Sequence, residues 1–126
     1  MEEIKKEIKL GVVGSRSINN KQFVFETLDF YLARLLKENE VVLVSGGAIG
    51  VDSLCEDFAR ERKLKTEVYL PDYKQYGKGA THIRNKQVVE VSDYLIAITT
   101  GSNGTASTIK YAEQKGIPTK IIKYER

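Results

Sequence analysis

Four consecutive apolar residues, Val41-Val42-Leu43-Val44, run directly into Ser45-Gly46-Gly47-Ala48-Ile49-Gly50, after which Val51, Leu54, Cys55 and Phe58 recur at helical spacing. A β-branched run without polar alternation suits a strand buried on both faces, and such strands belong to parallel sheets covered by helices. Glycines then carry the chain out of the strand and into a helix. This one segment commits the chain to alternating strands and helices.

The same order repeats along the sequence. Ile8, Leu10, Val12 and Val13 predict a first strand that ends at Gly14-Ser15-Arg16-Ser17. Val24, Leu28, Tyr31, Leu32 and Leu35 predict a helix over 21–37, with Asn19 or Asn20 as its N-cap. Thr66 to Leu70 reads as a third strand stopped by Pro71-Asp72, and 73–81 shows no clear period. A helix is expected over 82–91, a strand over 93–99, and a helix over 106–115 closed by Gly116 at C′. Pro118 opens a last strand through Ile122. The expected fold is α/β, a three-layer Rossmann-like arrangement with a five-stranded, mainly parallel sheet. Residues 1–126 form a single domain in this reading, with residues 1–7 as a charged lead-in, and no repeat or linker is visible.

Composition narrows the function classes. The 20 Lys and Arg against 17 Asp and Glu give a formal charge of +3, a small excess that argues against a dedicated nucleic-acid cradle. A single Cys and a single His leave no set for a structural metal site, and Cys55 is expected in the core. Nowhere does an apolar run long enough to cross a bilayer occur, and the first ten residues lack the apolar stretch of a secretion signal. A cytoplasmic protein without metal or cofactor is expected.

In an open parallel sheet, ligands bind beyond the carboxyl ends of the strands. Here those ends carry the glycines: Gly14, Ser15 and Arg16 after the first strand; Ser45, Gly46, Gly47, Gly50 and Asp52 after the second; Thr100, Gly101, Ser102, Asn103, Gly104 and Thr105 after the fourth. Glycine turns bring backbone N–H groups close to an anion, and a following helix adds positive potential, so phosphate is the natural guest. Neither Gly-x-x-x-x-Gly-Lys-Ser/Thr nor Gly-x-Gly-x-x-Gly is present, which disfavours a P-loop ATPase or a nicotinamide dehydrogenase.

The segments Gly-Val-Val-Gly-Ser-Arg (11–16), Ser-Gly-Gly-Ala-Ile-Gly-Val-Asp (45–52), Ile-Arg-Asn-Lys (83–86), Val-Ser-Asp-Tyr-Leu-Ile-Ala-Ile (91–98) and Gly-Ser-Asn-Gly-Thr (101–105) resemble the SLOG superfamily over about residues 8–122. That superfamily joins DprA and the LOG phosphoribohydrolases with small YspA/YpsA-like proteins, and the small branch is the one resembled here. The resemblance implies a pocket for a nucleoside phosphate or ADP-ribose-like ligand, with Arg84 and Asn85 joining the glycine loops as binding residues. Asp52 would accept from a ribose hydroxyl, or else balance the dipole of its helix. Arg84 and Asp52 are the candidate catalytic pair. LOG hydrolases carry a glutamate where this chain has Thr108, which cannot serve as a carboxylate base. A nucleoside 5′-monophosphate N-glycosidase is therefore the alternative rather than the leading reading.

DprA-like binding of single-stranded DNA is the other alternative. Its track would be Lys74, Lys78, Arg84 and Lys86 interleaved with Tyr73, Tyr76 and His82. Glu113 reads as a solvated surface charge, and Glu90 is a further carboxylate without an assigned neighbour. The family also implies a homo-oligomer, a dimer first.

Overall fold

The computed structural model describes residues 5–125. Its elements are β1 (Lys6–Gly14), α1 (Lys21–Glu38), β2 (Asn39–Ser45), α2 (Val51–Arg62), β3 (Lys65–Val68), the one-turn α3 (Tyr73–Tyr76), a 3-10 turn (Gly77–Gly79), α4 (Ala80–Val91), β4 (Tyr94–Thr99), α5 (Asn103–Gln114) and β5 (Thr119–Lys123). Among the described residues the five strands form one sheet in the order β3-β2-β1-β4-β5, and every pair is parallel. This is the expected three-layer Rossmann-like fold. No helix among the described residues is long and apolar enough to cross a membrane.

Two apolar clusters, one on each face of the sheet, hold the layers together. Leu10, Val12, Leu43 and Ile96 pack against Val24, Leu28 and Leu32 of α1 and against Cys55 and Phe58 of α2. Val13, Val44, Leu95 and Ala97 pack against Val88 and Val89 of α4 and Ala112 of α5. The alternation of Val12 and Val13 between clusters is the two-residue period of a strand covered on both faces. Cys55 is fully buried, and burial pushes its thiol well above the ordinary range, so it is a core side chain rather than a nucleophile.

The chain moves outward from β1 to β2 to β3, then crosses back through α4 to β4 on the other side of β1. That reversal places the carboxyl ends of β1 and β4 side by side, with Gly14 registered against Ile98. A crevice opens where the two loops diverge.

Several boundaries differ from the sequence reading. The charged lead-in does not reach residue 7: Lys6 and Glu7 already pair with Asn39 and Glu40, with their side chains exposed beyond the helical cover, while residues 1–4 lie outside the described region. The segment over 73–81 folds into α3 and the 3-10 turn, and α4 starts at Ala80 rather than His82. In α3, the Asp72 carboxylate caps the turn by accepting from the Gln75 N–H at 3.1 Å. At α5 the helix begins at Asn103, three residues earlier than expected, because Ser102 takes the extended N-cap conformation. Asn103, Gly104 and Thr105 are therefore first-turn residues, not loop residues. Asn20 caps α1 through the Phe23 N–H at 3.0 Å, and Gly116 closes α5 with φ of 74°.

Candidate functional site

The crevice is a cavity of about 430 Å³. The β1–α1 loop supplies Gly14, Ser15 and Arg16; the β2–α2 segment supplies Gly46 and Asp52; α4 supplies Arg84 and Asn85; and α5 supplies Ser102, Gly104 and Thr105. Ten of the residues named from the sequence thus line one space.

The remaining six do not line it, and for four the contacts show a supporting position. Ser45 is fully buried; its hydroxyl donates to Glu56 at 2.8 Å and accepts from the Gly47 N–H at 3.2 Å. Thr100 donates to the Ser15 Oγ through both its N–H at 3.0 Å and its Oγ1 at 3.2 Å. The Gly101 N–H is held by Thr99 Oγ1 at 2.9 Å. Gly50 has φ of 78°, and a Cβ there would sit 2.5 Å from the Arg16 carbonyl oxygen, so only glycine lets the two loops close together. Gly47 faces Leu70 instead, and Asn103 is exposed at the outer side of α5.

Residues not named from the sequence complete the walls. Thr81 and Val88 share a face with Arg84 and Asn85 at the spacing i, i+3, i+4, i+7, a helical signal hidden because 73–81 showed no period. Thr108 stands one turn beyond Thr105 on the same side of α5, and Val13, Ser17 and Ala48 fill the floor and rim.

Ser15 is the knot of the site. It is 2% exposed, and its Oγ lies 2.8 Å from Ser102 Oγ, which in turn donates to Thr105 Oγ1 at 3.0 Å. Its backbone N–H donates to the Ile98 carbonyl at 3.1 Å, and its own carbonyl accepts from Ile18 and Val51. One buried hydroxyl therefore ties the β1–α1 loop to the β4–α5 loop and fixes the start of α5.

Three charges shape the cavity. Arg84, 4% exposed, reaches across the end of β2 to donate through Nη1 to the Gly46 carbonyl, while its Nε donates to Asn85 Oδ1 at 2.8 Å. The crossing needs Gly46: a Cβ there would lie 2.6 Å from Arg84 Cδ. Burial lowers the pKa of Arg84, opposed by the Asp52 carboxylate and reinforced by the Arg16 guanidinium, yet an arginine stays cationic at neutral pH. Burial is also the main influence on Asp52, raising its pKa from 3.8 to about 6 against the N–H groups of Ala48 and Gly46 and the charge of Arg84. Its Oδ2 accepts from the Ala48 N–H at 3.3 Å. Arg16 is exposed at the mouth.

The two helix N-termini at the cavity are electrically unlike. In α2 the first turn contains Asp52, whose carboxylate already meets the positive end. In α5 the Ser102 side chain makes no cap bond and the first turn holds no acidic residue. The α5 terminus is the one left for an anion.

The track proposed for single-stranded DNA is not continuous. Arg84 turns inward, and Lys86 lies over the Tyr111 ring at 5.3 Å, whereas Tyr73, Lys74, Tyr76, Lys78 and His82 are exposed. Thr108 donates to the Gly104 carbonyl at 3.0 Å, and among the described residues Asp52 is the one carboxylate in the cavity wall. No group of three or more His, Cys, Asp or Glu side chains converges among the described residues.

A family model described as YAcAr, the YspA, cpYpsA-related SLOG family, matches residues 9–76, slightly more than half of the chain. The matched segment includes the β1 and β2 loops and ends before Arg84 and α5. The X-ray structure of TM1055, a target of the Northeast Structural Genomics Consortium, superposes with a TM-score of 0.66 at 28% sequence identity, covering 89% of this chain and 72% of that one. No curated protein matches the sequence.

Proposed function

The chain belongs to the YspA, cpYpsA-related SLOG family, and within it we propose a protein that binds a nucleoside phosphate or a related nucleotide-derived ligand in the crevice between β1 and β4. Family membership supports nucleotide-related binding in general terms. The orientation comes from the inequality of the two helix ends. The phosphate sits at the α5 N-terminus, against Ser102, Gly104 and Thr105, with the guanidinium groups of Arg84 and Arg16 balancing its charge. The sugar turns toward Asp52, whose carboxylate accepts a ribose hydroxyl. The reverse orientation would press phosphate against a carboxylate.

Placing an acid at the α5 cap tests this. Ser102→Asp should leave the free protein as stable as before, or more stable by about 1 kcal/mol through the new cap. It should weaken a nucleoside 5′-monophosphate at least tenfold, about 1.4 kcal/mol, read as a smaller ligand-induced rise in melting temperature. An unchanged ligand response with a carboxylate at that position would show that the phosphate binds elsewhere.

Hydrolysis of the base–ribose bond of such a ligand is the second reading. It is favoured by one observation: a buried carboxylate, whose pKa burial raises to about 6, stands in the cavity wall. Asp52 would there act as the general base on a water molecule.

A further inference from the structure

Among the described residues the exposed large hydrophobic side chains fall into two groups. Phe30, Leu36, Tyr94 and Ile121 are spread over α1, the amino end of β4 and β5, whereas Ile49, Val68, Leu70, Tyr73 and Tyr76 gather at the carboxyl ends of β2 and β3 and on α3. Single apolar side chains on a surface need no explanation, but a contiguous set marks a contact site. This set borders the crevice. Val68 is registered beside Ser45, and a Cβ on Gly47 would stand 2.4 Å from Leu70 Cδ2 and 3.2 Å from Val68 Cγ1. Both side chains therefore lie against the β2–α2 loop at Gly47, whose two neighbours Gly46 and Ala48 line the cavity. On the other side α3 packs against α4, which carries Thr81 and Arg84 into the same cavity wall, and the Tyr73 phenol lies within electrostatic range of the Arg84 guanidinium.

Strand order gives the direction in which a ligand would meet this edge. The sheet runs β3-β2-β1-β4, so a ligand whose phosphate sits at the α5 terminus beyond β4, and whose sugar reaches Asp52 beyond β2, carries its base outward to the end of β3. Polar groups there are already engaged. The Asp72 carboxylate accepts from the Gln75 N–H at 3.1 Å, the Tyr69 hydroxyl donates to Glu67 at 3.1 Å, and Asn85 Oδ1 accepts from Arg84 Nε at 2.8 Å. The surface offered to the base is aromatic and aliphatic, and every base has a face that can stack on it.

We propose that Tyr73 and Leu70 form a base subsite at the β3 edge of the crevice, where the base is held by contact area rather than by hydrogen bonds to its edges. The site then prefers purine nucleotides to pyrimidine ones, because the larger ring system covers more of the platform, and does not distinguish adenine from guanine. The proposal rests on the phosphate and sugar placement given above and adds the third part of the ligand to it. The occupant is the base because the apolar edge continues from the cavity wall that holds the sugar.

Calorimetric titration with ribose 5-phosphate and with the 5′-monophosphates of adenosine, guanosine and uridine tests it. The two purine nucleotides should bind within about threefold of each other and at least about tenfold more tightly than ribose 5-phosphate, with the uridine compound between. Tyr73→Ala and Leu70→Ser replace exposed side chains and should keep the circular dichroism spectrum of the unmodified protein. Tyr73→Ala should weaken the purine nucleotides about tenfold and leave ribose 5-phosphate within about twofold, and Leu70→Ser should act in the same sense. Tyr73→Phe keeps the ring and should match the unmodified protein. Ribose 5-phosphate binding as tightly as the purine nucleotides would overturn the base subsite while the phosphate and sugar placement stands. So would purine nucleotides bound as tightly by Tyr73→Ala and Leu70→Ser as by the unmodified chain, or a preference of about a hundredfold for one purine, which contact area alone does not give. Binding of none of the four compounds would overturn the subsite together with the placement on which it rests.

Discussion

Replacing Arg84 with alanine is expected to remove most of the stabilisation that a nucleoside 5′-monophosphate confers on the protein. A ligand at 100 times its dissociation constant adds about 2.7 kcal/mol to the folded state. A bidentate, charge-assisted contact to phosphate made from a buried guanidinium contributes about 2 kcal/mol or more, close to thirtyfold in affinity. The variant should also melt earlier without ligand. Its Nη1 no longer meets the Gly46 carbonyl, and Asp52 loses the cation that opposes the effect of burial on its carboxyl. The two effects separate if the ligand-induced shift is measured within each variant rather than between variants. Arg84→Lys keeps the charge and loses the planar fork, and should fall between the two. A full ligand shift in Arg84→Ala would exclude Arg84 from the binding site.

Asp52→Asn is expected to act in opposite directions on stability and on binding. The folded-state pKa of Asp52 lies above its ordinary value, 3.8 moving to about 6, so the folded state holds the proton more tightly than the unfolded chain. This group's contribution to stability is therefore fully present below about pH 4 and is lost as pH rises through about 6. At about 1.4 kcal/mol per pH unit, the interval amounts to about 3 kcal/mol by neutral pH. Asparagine is isosteric with the neutral acid, so Asp52→Asn should raise stability at pH 7 by about that amount and flatten the decline between pH 4 and 6. Denaturant melts across that range read both effects. The same substitution replaces an ionised acceptor for the ribose hydroxyl with a neutral one, and ligand affinity should fall as the free protein becomes more stable. A carboxylate that strains the empty site and is relieved by its ligand gives this signature. One that only balances the α2 dipole would show no loss of ligand affinity.

The architecture was legible because each glycine cluster follows a continuous apolar run, and that pattern has few solutions besides parallel strands feeding helices across a sheet. Val41 to Val44 and Tyr94 to Ile98 left little choice of partner face. The site was legible at the level of loops and not of roles. Ser45, Thr100 and Gly101 carry the same residue types as true cavity residues, but their hydroxyl and N–H groups are spent on neighbouring side chains of the fold. Which polar groups are spent internally is decided by tertiary contacts between segments as distant as Ser15 and Thr100. Arg84 gave no sign of its burial, because the opening it fills is made by Gly46 on another element. Thr81 was hidden for a local reason: Gly77 and Gly79 interrupt the apolar period just before α4, so the inward face of that helix could not be followed back to its start. Thr108 drew notice from the sequence only as a missing carboxylate, whereas the fold makes it part of the wall.

The unlike helix ends remain the centre of the functional account, since they set which end of a ligand meets which wall. A calorimetric titration of the unmodified protein with a nucleoside 5′-monophosphate, and with the same nucleoside lacking its phosphate, addresses that point most directly. The α5 terminus and the two guanidinium groups predict saturable binding of the phosphorylated compound and binding at least about a hundredfold weaker for the nucleoside, a difference of about 2.7 kcal/mol. Equal affinities, or no binding of either compound, would contradict it.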